Sequence, residues 1–194
     1  MKIKELVFAT NNQNKLRELR AIVGDDLKIL SLDDIGCHDE IVEDGTTFKE
    51  NALIKARWVK DHYGYDCFAD DTGLEVKALD DAPGVYSARY AGPECNSERN
   101  IDKLLILLGA CPDRTARFST VFALIVGEKI SFFTGEIEGE ILNERRGEGG
   151  CGYDSVFVPK GSNKSFAEMS AEDKNRISHR AIASEKLVAY LKTL

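Results

Sequence analysis

Apolar positions along this chain switch between an unbroken or two-residue period and a helical one. Leu6-Val7-Phe8-Ala9 is a short continuous apolar run, which predicts a buried strand. It passes straight into the polar stretch Thr10-Asn11-Asn12-Gln13-Asn14-Lys15. Leu16, Leu19 and Val23 then recur at helical spacing, and Gly24 supplies the stop. A short strand around residues 27–30 and an acidic loop lead to a second helix, whose apolar stripe is Phe48, Ala52, Ala56 and Val59. Cys67-Phe68-Ala69 predicts another strand, ending in Asp70-Asp71 and breaking at Thr72-Gly73 before Leu74-Glu75-Val76 opens a second strand-like run.

Beyond the Pro83-Gly84 turn signal, residues 96–109 read as a helix with Ile101, Leu104, Leu105 and Leu108 on one face. Residues 117–126 and 129–135 form a hairpin pattern around Gly127-Glu128, and residues 135–142 extend the sheet. A glycine-dense loop precedes the strand pattern Val156-Phe157-Val158-Pro159. Ser178 is placed to cap a last helix with the stripe Ala183, Leu187 and Leu191. The 194 residues contain no internal repeat, low-complexity tract or linker, which predicts a single domain over residues 1–194 with a substantial core.

Charge and cysteine usage narrow the partners. A net charge of −7 provides no basic field for a nucleic-acid backbone, although basic side chains can still gather around a small anion. The five cysteines are scattered and show no C-x-x-C spacing, which argues against a disulfide framework and a structural zinc site. No apolar run approaches membrane-spanning length, and the first residues lack the apolar core of a signal peptide, so no membrane partner and a cytoplasmic location are expected.

The polar junctions carry the chemistry. Alternation along a strand sends Asp70 and Asp71 to opposite faces, so one can face a site while the other braces the turn. An acid-rich strand end can hold a metal or activate a water; a polar turn is the plain alternative. The strand-to-helix turn of residues 10–15 offers free backbone N–H groups, with Lys15 adding a full charge, or else is simply an Asn-capped helix. Thr47, Asn51 and Lys55 form a polar row along the flank of the second helix, the pattern of a site wall. Glu43, just ahead of that helix, fits a dipole-facing carboxylate or a metal ligand. Four glycines between Gly147 and Gly152 mean either a mobile loop or a backbone that approaches a ligand closely. Tyr153 offers a flat face there and Asp154 an acceptor. His179 and Arg180 open the last helix, with Lys174 shortly before; cations there oppose the helix dipole by about 0.3–1 kcal/mol, so an anionic ligand explains them better than stability does.

Taken together, residues 10–15, 43–56, 69–76, 82–92, 149–154 and 178–180 resemble, in order, the motifs of the inosine triphosphate pyrophosphatase family. The resemblance covers essentially the whole chain. It implies an elongated, two-lobed α/β fold with a long central mixed β-sheet flanked by helices and the active site in the cleft. It also implies a Mg²⁺-dependent hydrolase that cuts ITP, dITP and XTP at the α-phosphorus to the monophosphate and pyrophosphate, usually as a homodimer. Carried over by residue, Thr10, Asn11, Asn12, Gln13, Asn14 and Lys15 form the first phosphate-binding turn, Lys55 reaches the triphosphate, and Lys174 sits in the nucleotide site. Glu43 and Asp71 hold Mg²⁺, Asp71 accepts the proton of the attacking water, and Thr72 contacts substrate. Cys151, Gly152, Tyr153 and Asp154 form the base-side loop, while His179 and Arg180 meet the 6-oxo side of the base. The chain departs from the family loop at Cys151, where an aromatic is usual, and at Ser155, where proline is usual. Loss of that aromatic bears on base stacking, worth roughly 1–3 kcal/mol per base in single-strand binders. A pyrophosphatase of the Maf type, which lacks this Asn-rich opening turn, and a non-catalytic nucleotide sensor are the alternatives.

Overall fold

The computed structural model describes residues 3–194. Its elements run β1 (Glu5–Phe8), α1 (Gln13–Val23), β2 (Lys28–Leu30), α2 (Phe48–Tyr63), β3 (Cys67–Val76) and β4 (Ala82–Pro83). They continue with α3 (Ser97–Leu108), β5 (Thr115–Val126), β6 (Lys129–Ile141), β7 (Phe157–Pro159), α4 (Ala171–Ile177) and α5 (His179–Leu191). The strands form one mixed sheet in the order β2-β1-β3-β5-β6-β7, with β4 paired to β3. β1 lies parallel to β2 and β3, whereas β6 runs antiparallel to β7. This is the mixed α/β architecture expected.

Two expectations are corrected. β3 does not break at Gly73 but runs unbroken from Cys67 to Val76. The two segments expected after Gly127-Glu128 are one 13-residue strand, β6. Ser178 stands directly ahead of α5, where the sequence places it, and it also closes α4, a short helix that the apolar spacing does not predict.

Among the described residues the chain forms two compact units. One takes in the chain up to Asp71, Thr120–Gly135 and Arg180–Leu194; the other comprises Thr72–Ser119 and Glu136–His179. In the first, strand alternation builds a core on each face of the sheet. Leu6, Phe8, Phe68, Phe122 and Leu124 pack with α1 and α5, while their neighbours Val7, Ala9, Cys67, Ala69, Ala123 and Ile125 pack with Ala52, Ala56 and Val59 of α2. Phe8 stacks on Phe68 at 4.6 Å between ring centroids, and Phe122 meets both edge-on. In the second, α3 lays Ile101, Leu104 and Leu108 against Leu74, Val76, Ala116, Phe118, Ile141, Phe157 and Phe166. All five cysteines are free thiols, and no helix among the described residues is long and apolar enough to cross a membrane.

Candidate active site

The turn between β1 and α1 is built by its own side chains. Asn12 caps α1, its Oδ1 accepting from the backbone N–H groups of Asn14 (3.0 Å) and Lys15 (3.2 Å). Thr10 Oγ1 accepts from Asn12 N at 3.1 Å. Asn11, Gln13 and Asn14 are exposed, and Asn14 also accepts from Arg17. The cap turns Lys15 toward β3, where its Nζ lies 3.0 Å from a carboxylate oxygen of Asp70. Asp70 is fully buried. Burial alone would push its carboxyl up, but Lys15, Lys55 and Arg180 hold it well below the usual carboxylate range.

Period-two geometry explains why Asp71 differs. Asp70 shares its face with Phe68, on the side of α1 and α5; Asp71 points the other way, toward α2. There Asn51 Nδ2 donates to Asp71 Oδ2 at 3.1 Å, and Asn51 Oδ1 accepts from Gly45 N at 2.8 Å. One helical turn further, Lys55 Nζ sits 3.0 Å from Glu43. The polar row of α2 is therefore a wall around carboxylates, with Thr47 serving as the helix N-cap. Burial raises the Asp71 carboxyl; Lys55 and the Asn51 hydrogen bond pull against this, but Glu43 and Asp70 reinforce it, and the result is about 6. The same carboxylates act on Lys55, whose ammonium burial would disfavour, and keep its pKa above the ordinary value.

At the start of α5, Arg180 is ion-paired with Glu18 of α1 and contributes to the field on Asp70. The first unit thus brings together Lys15, Lys55, Glu43, Asp70, Asp71 and Arg180. Among these carboxyls it is Asp71 whose pKa stands raised. Among the described residues no three His, Cys, Asp or Glu side chains form a ready metal cage. Glu43 and Asp71 nonetheless suit Mg²⁺, a hard cation commonly bound through one or two carboxylates plus substrate phosphates. The elevated pKa of Asp71 marks a place where added positive charge is favoured.

The second unit assembles the other predicted residues. The glycine-dense loop is docked rather than loose: Gly149 N donates to Ala167 O at 3.2 Å, and a side chain at Gly147 would run into the Ala167 backbone. Asp154, nearly fully buried, accepts from Cys151 N at 3.0 Å and from Lys174 Nζ at 2.7 Å. Tyr153 is buried too, its hydroxyl donating to Ser87 O at 2.6 Å, so its ring belongs to the core and not to an open face. Ser87 Oγ in turn accepts from Leu74 N on β3 at 2.9 Å. Thr72 is half-buried on β3, and Cys151 and Gly152 are exposed. His179 is buried, its imidazole stacked on Phe118.

Sequence reasoning placed Asn51 in the polar row but did not place Glu18 or Ser87 in the site. Glu18 lies one turn beyond Lys15 on α1, a spacing that carried the signal.

Fold and site together define an α/β protein whose sheet presents buried and half-buried carboxylates beside lysines, an arrangement able to take up a phosphorylated ligand and to polarise water. The chain belongs to the Ham1 family, whose model matches residues 6–190. It is 57% identical to the dITP/XTP pyrophosphatase of Christiangramia forsetii over 96% of this chain and 98% of that protein, and 53% identical to that of Porphyromonas gingivalis over 97% and 98%. Among solved structures it superposes on the Staphylococcus aureus Ham1 protein with a TM-score of 0.90 at 39% identity, covering 98% of this chain and 99% of that one.

Proposed function

We propose that this chain is a Mg²⁺-dependent nucleoside triphosphate pyrophosphatase that hydrolyses ITP, dITP and XTP to the monophosphate and pyrophosphate, clearing non-canonical purines from the nucleotide pool. The observation that carries the reading is Asp71: a half-buried carboxyl raised to about 6, beside Glu43 and within the field of Lys55. Family membership and the names of close relatives support it. A cytoplasmic homodimer is part of the same reading.

Mg²⁺ held by Glu43 and Asp71 would supply charge neutralisation on the phosphate oxygens. The remaining work falls to the chain. Asp71, ionised above about pH 6, orients a water and takes its proton for attack on the α-phosphorus. Asn51 fixes the Asp71 carboxylate by its 3.1 Å hydrogen bond. Lys55 and Lys15 place positive charge where the pyrophosphate leaves, and the turn of residues 10–15 offers N–H donors to phosphate. Asp70 is committed to Lys15 and acts as its brace. On the base side, His179 and Arg180 donate to a 6-oxo group. A 6-amino purine would leave such donors unpaired and so be rejected.

The test is purified protein with Mg²⁺ and a panel of triphosphates, read separately for pyrophosphate and phosphate. Pyrophosphate release from ITP, dITP and XTP, little from ATP, and loss of turnover in Asp71→Asn are expected. Phosphate release, equal use of ATP and ITP, or a fully active Asp71→Asn enzyme would each overturn the assignment. Binding of ITP without any product would favour the sensor.

A further inference from the structure

His179 has a soft degree of freedom that its own backbone does not control. The torsion that sets an imidazole's plane is broad and roughly two-fold, so a rotamer alone does not aim the ring N–H groups. Hydrogen bonds, by contrast, weaken steeply as the donor angle departs from linearity. Any role for this imidazole in reading a purine edge therefore needs something to hold its plane.

The second unit contains such a device. Phe118 on β5 lies 5.0 Å from the His179 ring centroid at an interplanar angle of 15°. Phe118 is itself held: Phe166 is near-parallel to it at 5.8 Å and 21°, and Phe157 meets it edge-on at 4.6 Å and 64°. Phe157 and Phe166 also touch each other, at 5.2 Å. Phe166 is fixed from below by a capping box, in which Ser165 Oγ accepts from Glu168 N and the Glu168 carboxylate accepts from Ser165 N. Three interlocked rings thus present one aromatic face to the imidazole.

We propose that Phe118 is a positioning residue for purine selectivity, setting the plane of the His179 imidazole by stacking. The inference rests on the reading of His179 as a base-side donor and adds the residue that aims it. Phe118 itself touches no substrate in this scheme.

The experiment compares Phe118→Leu, Phe118→Trp, Phe157→Leu and His179→Ala in the full chain. The ratio of kcat/KM for ITP to that for ATP is measured, together with the imidazole proton resonances. With only three histidines, and His38 and His62 both exposed, the His179 signal is assigned by its disappearance in His179→Ala. Phe118→Leu removes the ring current, so the His179 resonance moves downfield and the ITP/ATP ratio falls by roughly five- to tenfold. Phe118→Trp, which keeps an aromatic face, retains most of the ratio. Phe157→Leu loosens the same core without removing the stack and leaves the ratio within about twofold, a factor worth under half a kcal/mol. If Phe118→Leu changes neither resonance nor ratio, or if Phe157→Leu lowers the ratio as much, the positioning role is wrong while the base-side reading stands. An unchanged ratio in His179→Ala would overturn both.

Discussion

Replacing Asp71 by asparagine should make the metal-free protein more stable at neutral pH while ending its turnover. In the folded chain this carboxyl stands at about 6, against an ordinary 3.8. A raised carboxyl binds its proton more tightly folded than unfolded, so its contribution is most favourable below pH 3.8 and is lost as pH rises to about 6. Each pKa unit is worth about 1.36 kcal/mol, so ionising Asp71 at pH 7.5 costs the fold about 3 kcal/mol. Asparagine removes the charge and keeps a carbonyl oxygen for the Asn51 donor, 3.1 Å away in the native chain. The advantage of the variant is therefore about 3 kcal/mol at pH 7.5, about 1.5 at pH 5 and about 0.5 at pH 4. Urea unfolding with EDTA at these three pH values measures it. A variant no more stable than wild type at pH 7.5, or a gain that does not shrink with acid, would refute the account of Asp71 as the carboxylate in excess. Mg²⁺ adds a second arm: by mass action it should stabilise wild type and do much less for Asp71→Asn.

Lys15→Met should cost about 3–5 kcal/mol, because it strands the fully buried Asp70 carboxylate, and Lys15→Met combined with Asp70→Asn should regain much of the loss in a double-mutant cycle. Gly147→Ala forces a side chain at φ +87° to within 2.7 Å of the Ala167 backbone, whereas Gly152, at φ +56°, faces open space. Thermal melts should show Gly147→Ala more damaging than Gly152→Ala, whose cost is the conformational strain of about 1–2 kcal/mol alone. With Asp71 as both base and metal ligand, bound Mg²⁺ lowers its pKa below the metal-free value of about 6, so the acid-side fall of kcat/KM should move to lower pH as Mg²⁺ is raised; an acid limb insensitive to Mg²⁺ would exclude Asp71 from that role.

Much of the fold was legible because its cores follow the two periods open to inspection. The paired cores of the first unit are β1, β3 and β5 read alternately, Leu6 and Phe8 to one side, Val7 and Ala9 to the other. Local signals misled where tertiary pairing overrode them. Gly73 and Gly135 looked like breaks, yet both are carried inside long strands, since a glycine weakens a strand without preventing its neighbours from pairing. α4 was missed because seven residues with Lys174 as their buried member leave no apolar stripe to detect.

The site was legible as chemistry but not as partnership. Alternation alone separates Asp70 from Asp71, since covalent geometry sends them to opposite faces. It does not say that one meets a lysine 55 positions earlier and the other an asparagine 20 positions earlier. Those long-range partners decide the outcome: the carboxylate facing α1 is neutralised by Lys15, while the one facing α2 shares Lys55 with Glu43 and keeps its proton to about pH 6. Tyr153 shows the converse. Beside four glycines it offers a flat face for packing but no partner, and it is a carbonyl 66 positions away that satisfies the hydroxyl and seats the ring in the core. Gly147 and Gly149 are then explained by the Ala167 backbone, against which only a residue without a Cβ fits. A carboxyl raised to about 6 at a stability cost of about 3 kcal/mol, beside a twin held low by Lys15, is the charge imbalance that the proposed Mg²⁺ site would draw on.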